Sequence, residues 1–203
     1  MKRLFVFVFA MAMTMAVSAQ ITWNAKLGGG IAMCAGGNGD GDMKGKFVGK
    51  VGFGLEYPIS ANFSLMPSLE VAMKGTKWEG KISNLGSQSE TYSPIYIQIP
   101  VLGAYRFNLN DDWNLTLKVG PYFAYGISGK IKANSYYGSA DADMFSDLDA
   151  KRFDAGVDAG IDFEYHRFVF GVEYERGFVS FAPSYVDENI FNQAVYVTVG
   201  YKF

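Results

Sequence analysis

The chain has one cysteine, one histidine, six prolines and no long apolar run beyond Val17. A single thiol, Cys34, closes no internal disulfide, so an exported fold must be held by other means. No run after Val17 approaches the roughly 20 apolar residues that a spanning helix needs, so any membrane crossing must be made by strands. Positive charge is also scarce, with 18 Lys and Arg against 20 Asp and Glu. Without Lys2 and Arg3 the formal charge moves from −2 to about −4, and no basic patch offers itself to a nucleic acid. No Gly-rich loop leads into a helix, so no nucleotide site is expected.

The first residues read as a secretory signal. Lys2 and Arg3 form a positive start, Leu4 to Val17 an uncharged apolar stretch, and Val17-Ser18-Ala19 a small-residue cleavage site. Residues 1–19 are therefore expected to be removed, leaving residues 20–203 as one domain. No Cys follows the cleavage point, which speaks against a lipoprotein. Gly (24 residues) and aromatics (16%) are both plentiful, a mixture that suits many turn-separated strands.

The clearest strand signal is Phe153 to Tyr165, FDAGVDAGIDFEY. Its odd positions are apolar or aromatic, and its even positions are Gly or acid. A strict period of two belongs to a strand with chemically different faces. Seven other segments alternate in the same manner: Ile21–Cys34, Lys46–Tyr57, Phe63–Trp78, Tyr92–Phe107, Trp113–Ser128, Arg167–Phe178 and Gln193–Phe203. Pro67, Pro100 and Pro121 lie inside strands and are expected to mark bulges or ladder defects.

The connections sort into two classes. Pro58–Asn62, Leu109–Asp112 and His166-Arg167 are tight; Ala35–Gly45, Glu79–Thr91, Gly129–Ala150 and Phe181–Asn192 are long. In a meander both termini and all tight turns share one end, the asymmetry of an outer-membrane barrel. The aromatics sort likewise. Trp23, Tyr57, Phe63, Tyr105, Phe107, Trp113, Tyr165, Phe168, Tyr201 and Phe203 lie near the tight-turn end. Phe47, Tyr125, Phe153, Phe178 and Trp78 (even-numbered, and so read as lying past a bulge) lie near the other. Two aromatic rings around an aliphatic middle match the two interfaces of a bilayer. The fold class expected is all-β, an eight-stranded antiparallel up-and-down transmembrane barrel.

The polar faces carry Lys26, Lys50, Lys74, Arg106, Lys118 and Lys202 against Glu56, Glu70, Asp154, Asp158, Asp162, Glu164, Glu173 and Glu175. Eight strands leave an interior just wide enough for side chains, so these groups should pair across it rather than line a water-filled pore. Glycines such as Gly52, Gly160 and Gly171 should make room for the longer side chains. Reversing Asp158 to Lys should then damage the barrel, while Asp141→Lys in a loop should not.

Other readings of the polar residues are weaker. His166 falls in a tight turn, where no Ser–His–acid group can be assembled on the long-loop side. Asp141, Asp143, Asp147 and Asp149, and Gly39-Asp40-Gly41-Asp42, lack the spacing and terminal Glu of an EF-hand loop and read as solvated acidic loops. Cys34 reads as a small apolar packer. No catalytic, cofactor-binding or metal-ligating residue is assigned, and no enzymatic activity is expected.

Tyr96-Ile97-Gln98-Ile99-Pro100-Val101-Leu102 with Tyr105-Arg106-Phe107, Gly120-Pro121-Tyr122, Phe153-Asp154-Ala155-Gly156 with Gly160 and Glu164, and the closing Gly200-Tyr201-Lys202-Phe203 form an ordered set of short motifs. The set resembles the Bacteroidetes outer-membrane β-barrel proteins, the porin-family or PorT-like group, over essentially all of residues 20–203. The resemblance implies a barrel of the OmpA/OmpX type in the cell outer membrane, surrounded by outer-membrane lipid and lipopolysaccharide. It also implies recognition of the last strand by the assembly machinery through Tyr201 and Phe203. A monomer is expected, with no domain after Phe203, and with structural, adhesive or ligand-contact roles for its loops. Three rivals stay open: a small transport or secretion channel, a lipid-modifying barrel enzyme that would use Asp158 or Glu173, and a soluble lipocalin-like carrier.

Overall fold

The computed structural model describes residues 21–36, 42–82, 86–135, 138–182 and 189–203. The expected signal segment lies outside them, as do residues 37–41 of the first acidic loop. The described chain forms eleven strands: β1 (Thr22–Ala35), β2 (Asp42–Lys44), β3 (Lys46–Pro58), β4 (Phe63–Met73), β5 (Thr76–Ile82), β6 (Gly86–Asn108), β7 (Trp113–Ser135), β8 (Gly138–Asp143), β9 (Phe153–Tyr165), β10 (Phe168–Gly177) and β11 (Phe191–Lys202).

Eight of these are barrel staves. The antiparallel pairings run β1–β3–β4–β6–β7–β9–β10–β11, and β11 returns to β1 with Asn24 opposite Lys202 and Ala35 opposite Phe191. Closure leaves no free edge within the ring, the condition for strands to cross lipid. The three tight turns cluster with the ends of β1 and β11. Asn110 caps one of them, its side-chain oxygen accepting from the amides of Asp112 and Trp113. His166 takes a positive φ of 51° in another.

The core is inverted relative to a soluble barrel. Val197 is 62% exposed, while its neighbour Thr198 is 3% exposed. The same contrast repeats around the wall: Leu27, Val51, Leu69, Ile97, Val119 and Ile161 face outward, and the charged residues face in. Trp23 stacks on Phe53, Trp113 packs tilted against Tyr165, and Phe168 meets Tyr201 edge to face, forming the aromatic girdle of the tight-turn end.

Three details differ from the sequence reading. The third segment is two strands, because Gly75 breaks it with a φ of 127°, a left-handed conformation that side chains avoid. A Cβ there would also lie 2.1 Å from the Tyr92 carbonyl oxygen. Trp78 therefore sits on the strand face of buried Thr76 and leaves the outer girdle to Phe47, Tyr125, Phe153 and Phe178. Second, much of the predicted long loops is strand. β6 and β7 run 23 residues each, and with β2, β5 and β8 they raise an open five-stranded sheet beyond the ring. Third, the register shift in the β6–β7 ladder falls between Ile95 and Tyr96, one residue beyond Pro94. Pro67, Pro100 and Pro121 do mark ladder defects, as expected: each falls in a short gap of a ladder, as between Tyr57–Leu65 and Gly54–Ser68.

Candidate functional site

The interior is built in layers. At the tight-turn end, Arg106 lies 2.6 Å from Glu56 and 3.3 Å from Glu164, and Lys202 lies 2.8 Å from both acids. Ser64 and Thr116 donate to the same carboxylates. This quartet is neutral and floors a cavity of about 360 Å³ that Thr22, Asn114 and His166 also line.

The middle layer is denser. Lys26 bridges Glu70 at 2.7 Å and Glu173 at 2.8 Å. Lys118 bridges Asp162 at 2.6 Å and Glu173 at 2.7 Å. Lys50 is fully buried and meets Glu70, Glu173 and Glu175 at once, with the Tyr196 ring beneath its ammonium. The Gln98 amide donates to Glu70 and Glu175. Charges taken out of water this completely are tolerated only when each is paired and hydrogen-bonded.

The glycines open the space these side chains fill. An added Cβ at Gly52 would lie 2.8 Å from Glu70 Cγ, and one at Gly160 would lie 2.7 Å from Lys118 Cε. At Gly171 it would lie 2.2 Å from Asp162 Oδ1 and 2.7 Å from Thr198 Oγ1. Gly171→Val should therefore cost about 1–3 kcal/mol through overpacking. The drop in urea midpoint of the folded barrel measures it.

Above this, Lys74 reaches Asp154 at 3.4 Å and Glu175 at 3.2 Å, and packs over the Tyr122 ring. Tyr122 and Asn192 also donate to Asp154. An apolar plug then closes the long-loop end. Met144, Phe145, Ala150 and Phe181 bury themselves against Cys34, Tyr96, Tyr122 and Ile131. Phe145 meets Tyr96 edge to face, and the Arg152 guanidinium lies over the Phe145 ring while donating to the Gly126 carbonyl.

The acidic loop holds this plug in place. Asp143 accepts from the amides of Phe145 and Ser146 at 2.9 Å, and those bonds, the Ser146 one foremost, hold its carboxyl below the usual aspartate range. Asp147 accepts from the Asp143 amide. Asp141 lies on β8 opposite Lys132, and Asp149 takes a φ of 51°. The four acids thus serve separate local roles. The plug itself escaped sequence reading, although an apolar Met144-Phe145 pair amid acids was its signal. Among the described residues no group of three His, Cys, Asp or Glu is arranged to hold a metal. His166 lies in its turn, 3.5 Å from Asp112, away from the plug.

A closed ring of eight staves, lipid-suited outside and ion-paired inside, accords with the family comparison. The model of the outer membrane protein beta-barrel domain matches residues 15–182. The chain belongs to that family. It is an outer-membrane β-barrel protein, and the outer membrane is its location. Among solved structures it is similar to Ail, the attachment invasion locus protein of Yersinia pestis, at 15% identity and a TM-score of 0.42, over 90% of this chain and 98% of that one. Neisserial surface protein A is similar at 10% identity and a TM-score of 0.45, over 89% and 97% of the two chains. The outer membrane enzyme PagL is similar at 11% identity and a TM-score of 0.42, over 86% and 98%. No curated protein sequence matches the barrel.

Proposed function

We propose that this barrel is a closed, non-enzymatic, monomeric outer-membrane protein of the Bacteroidetes porin-family type. Its long-loop end faces the cell exterior and carries the function, through structural, adhesive or ligand contacts of the raised sheet and loops. The observation that carries this reading is the lumen itself. Ion-paired layers span it from opposite walls, and the Met144–Phe145 plug covers its outer end. A solute would have to break several buried pairs to pass.

The motifs from Tyr96 to Phe107 and at Gly200–Phe203 support the Bacteroidetes assignment. Outer-membrane lipid and lipopolysaccharide surround the girdle, and the assembly machinery reads Tyr201 and Phe203, which meet edge to face in and just after the last strand. A barrel enzyme acting on lipid would want its acid and His near the outer rim. Here the sole His lies at the opposite end, and Glu173 is committed to three lysines.

Planar-bilayer recording on the purified barrel tests the reading. No steady conductance is expected from the parent protein or from Phe145→Ala, because the Lys74–Asp154–Glu175 layer still closes the lumen below the plug. A steady open state in the parent would instead support the transport or secretion reading.

A further inference from the structure

The inward charges do not balance. The tight-turn quartet is neutral, so the surplus lies in the layers above, where Lys26, Lys50, Lys74 and Lys118 face Glu70, Asp154, Asp158, Asp162, Glu173 and Glu175. Five of these six acids have a lysine within 4 Å. Asp158 is the exception. It is fully buried, and neither of its oxygens has a hydrogen-bond partner or an ion pair among the described residues.

Its surroundings explain why. Asp158 on β9 stands opposite Gly120 of β7 and Glu175 of β10. The charges that act on it most strongly are Lys50 of β3, Glu175 and Glu173 of β10, and Lys26 of β1. Along β9 itself its inward neighbours are Gly156 and Gly160, and the acids beyond them, Asp154 and Asp162, are bound to Lys74 and Lys118. Lys50 and Lys26 are already shared among Glu70, Glu173 and Glu175. The layer therefore lacks donors. Of the buried side-chain polar atoms without a hydrogen bond among the described residues, all but Arg106 Nε are acceptors, and the Gln98 and Asn192 carbonyl oxygens are among them. A buried carboxylate without a partner is among the costliest groups a protein can hold, and such a group neutralises instead.

We propose that Asp158 is a proton-binding site of the lumen, its carboxyl held neutral at physiological pH. The proton supplies the hydrogen-bond donor the layer is short of. It also removes one of the two surplus charges, so that Lys50 serves three carboxylates rather than four. A neutral carboxyl is what the packing accepts at this position, with Gly120 on one side and Glu175 on the other.

Infrared spectroscopy of the folded barrel in vesicles at neutral pH tests this. The parent protein should show the carbonyl stretch of a protonated carboxyl. That band should shift when aspartate alone is carbon-13 labelled, and it should vanish in Asp158→Asn. The asparagine variant should resist urea at least as well as the parent. The labelled parent needs no mutant to fold, so it decides the matter alone. Absence of a shifting band overturns the proposal. So does a barrel whose stability rises with sodium or potassium and shows no such band, since a cation would then be the guest.

Discussion

Replacing Lys50 by methionine should destabilise the folded barrel by roughly 3–5 kcal/mol, the cost of leaving a buried ionic partner uncompensated. Lys50 has no exposed side-chain surface and neutralises Glu70, Glu173 and Glu175 together. Methionine keeps most of the length and none of the charge. Three carboxylates would then depend on Lys26, Lys74 and Lys118, each already shared. Urea unfolding in vesicles should show an earlier midpoint, with heat-dependent gel mobility lost at lower temperature. Adding Glu175→Gln should recover part of the loss, because residues in one ion-pair network are not additive. Asp141→Lys on exposed β8 should stay within about 0.5 kcal/mol of the parent, as surface changes usually do.

A second large effect is expected on the outer wall. Val197 projects from the middle of β11, between Val195 and Val199 on the same face, and is 62% exposed. Val197→Arg should cost about 2–4 kcal/mol in a bilayer, as a cation near the midplane does on the lipid face of a barrel. The same change on a water-facing surface would be nearly neutral. Comparing unfolding in vesicles with unfolding in detergent isolates the lipid contribution, and the penalty should shrink in detergent.

The ring was legible because lipid and lumen impose opposite chemistry on alternate residues. Phe153 to Tyr165 shows it in one strand, and the partners Lys26, Lys50, Lys74, Arg106, Lys118 and Lys202 could be gathered from parity alone. Beyond the bilayer that constraint ends. At Lys130 and Lys132 the exposed face is charged, and the apolar alternation that marked Trp113–Ser128 stops, although β7 continues to Ser135. The strand extensions and the Phe145 plug were therefore hidden in segments that read as loop.

Pairing within the lumen was also beyond the sequence. Parity places Asp158 inward with the other acids, where its reversal to Lys should damage the barrel. Which acid lacks a partner depends on how β1, β3, β7, β9 and β10 are staggered around the ring. The stagger gives Lys50 to three other carboxylates and leaves Asp158 none.

The barrel interior is packed and excludes solvent, and thiol reactivity along β11 tests this directly. In a Cys34→Ala background, Ala194→Cys and Thr198→Cys each place a small side chain at an inward position that is 3% exposed in the parent. A water-soluble maleimide should leave both unmodified in the folded barrel and modify both after unfolding, while Asp141→Cys reacts in either state. Rapid modification of the inward cysteines in the folded protein would mean a water-filled lumen and would contradict the account.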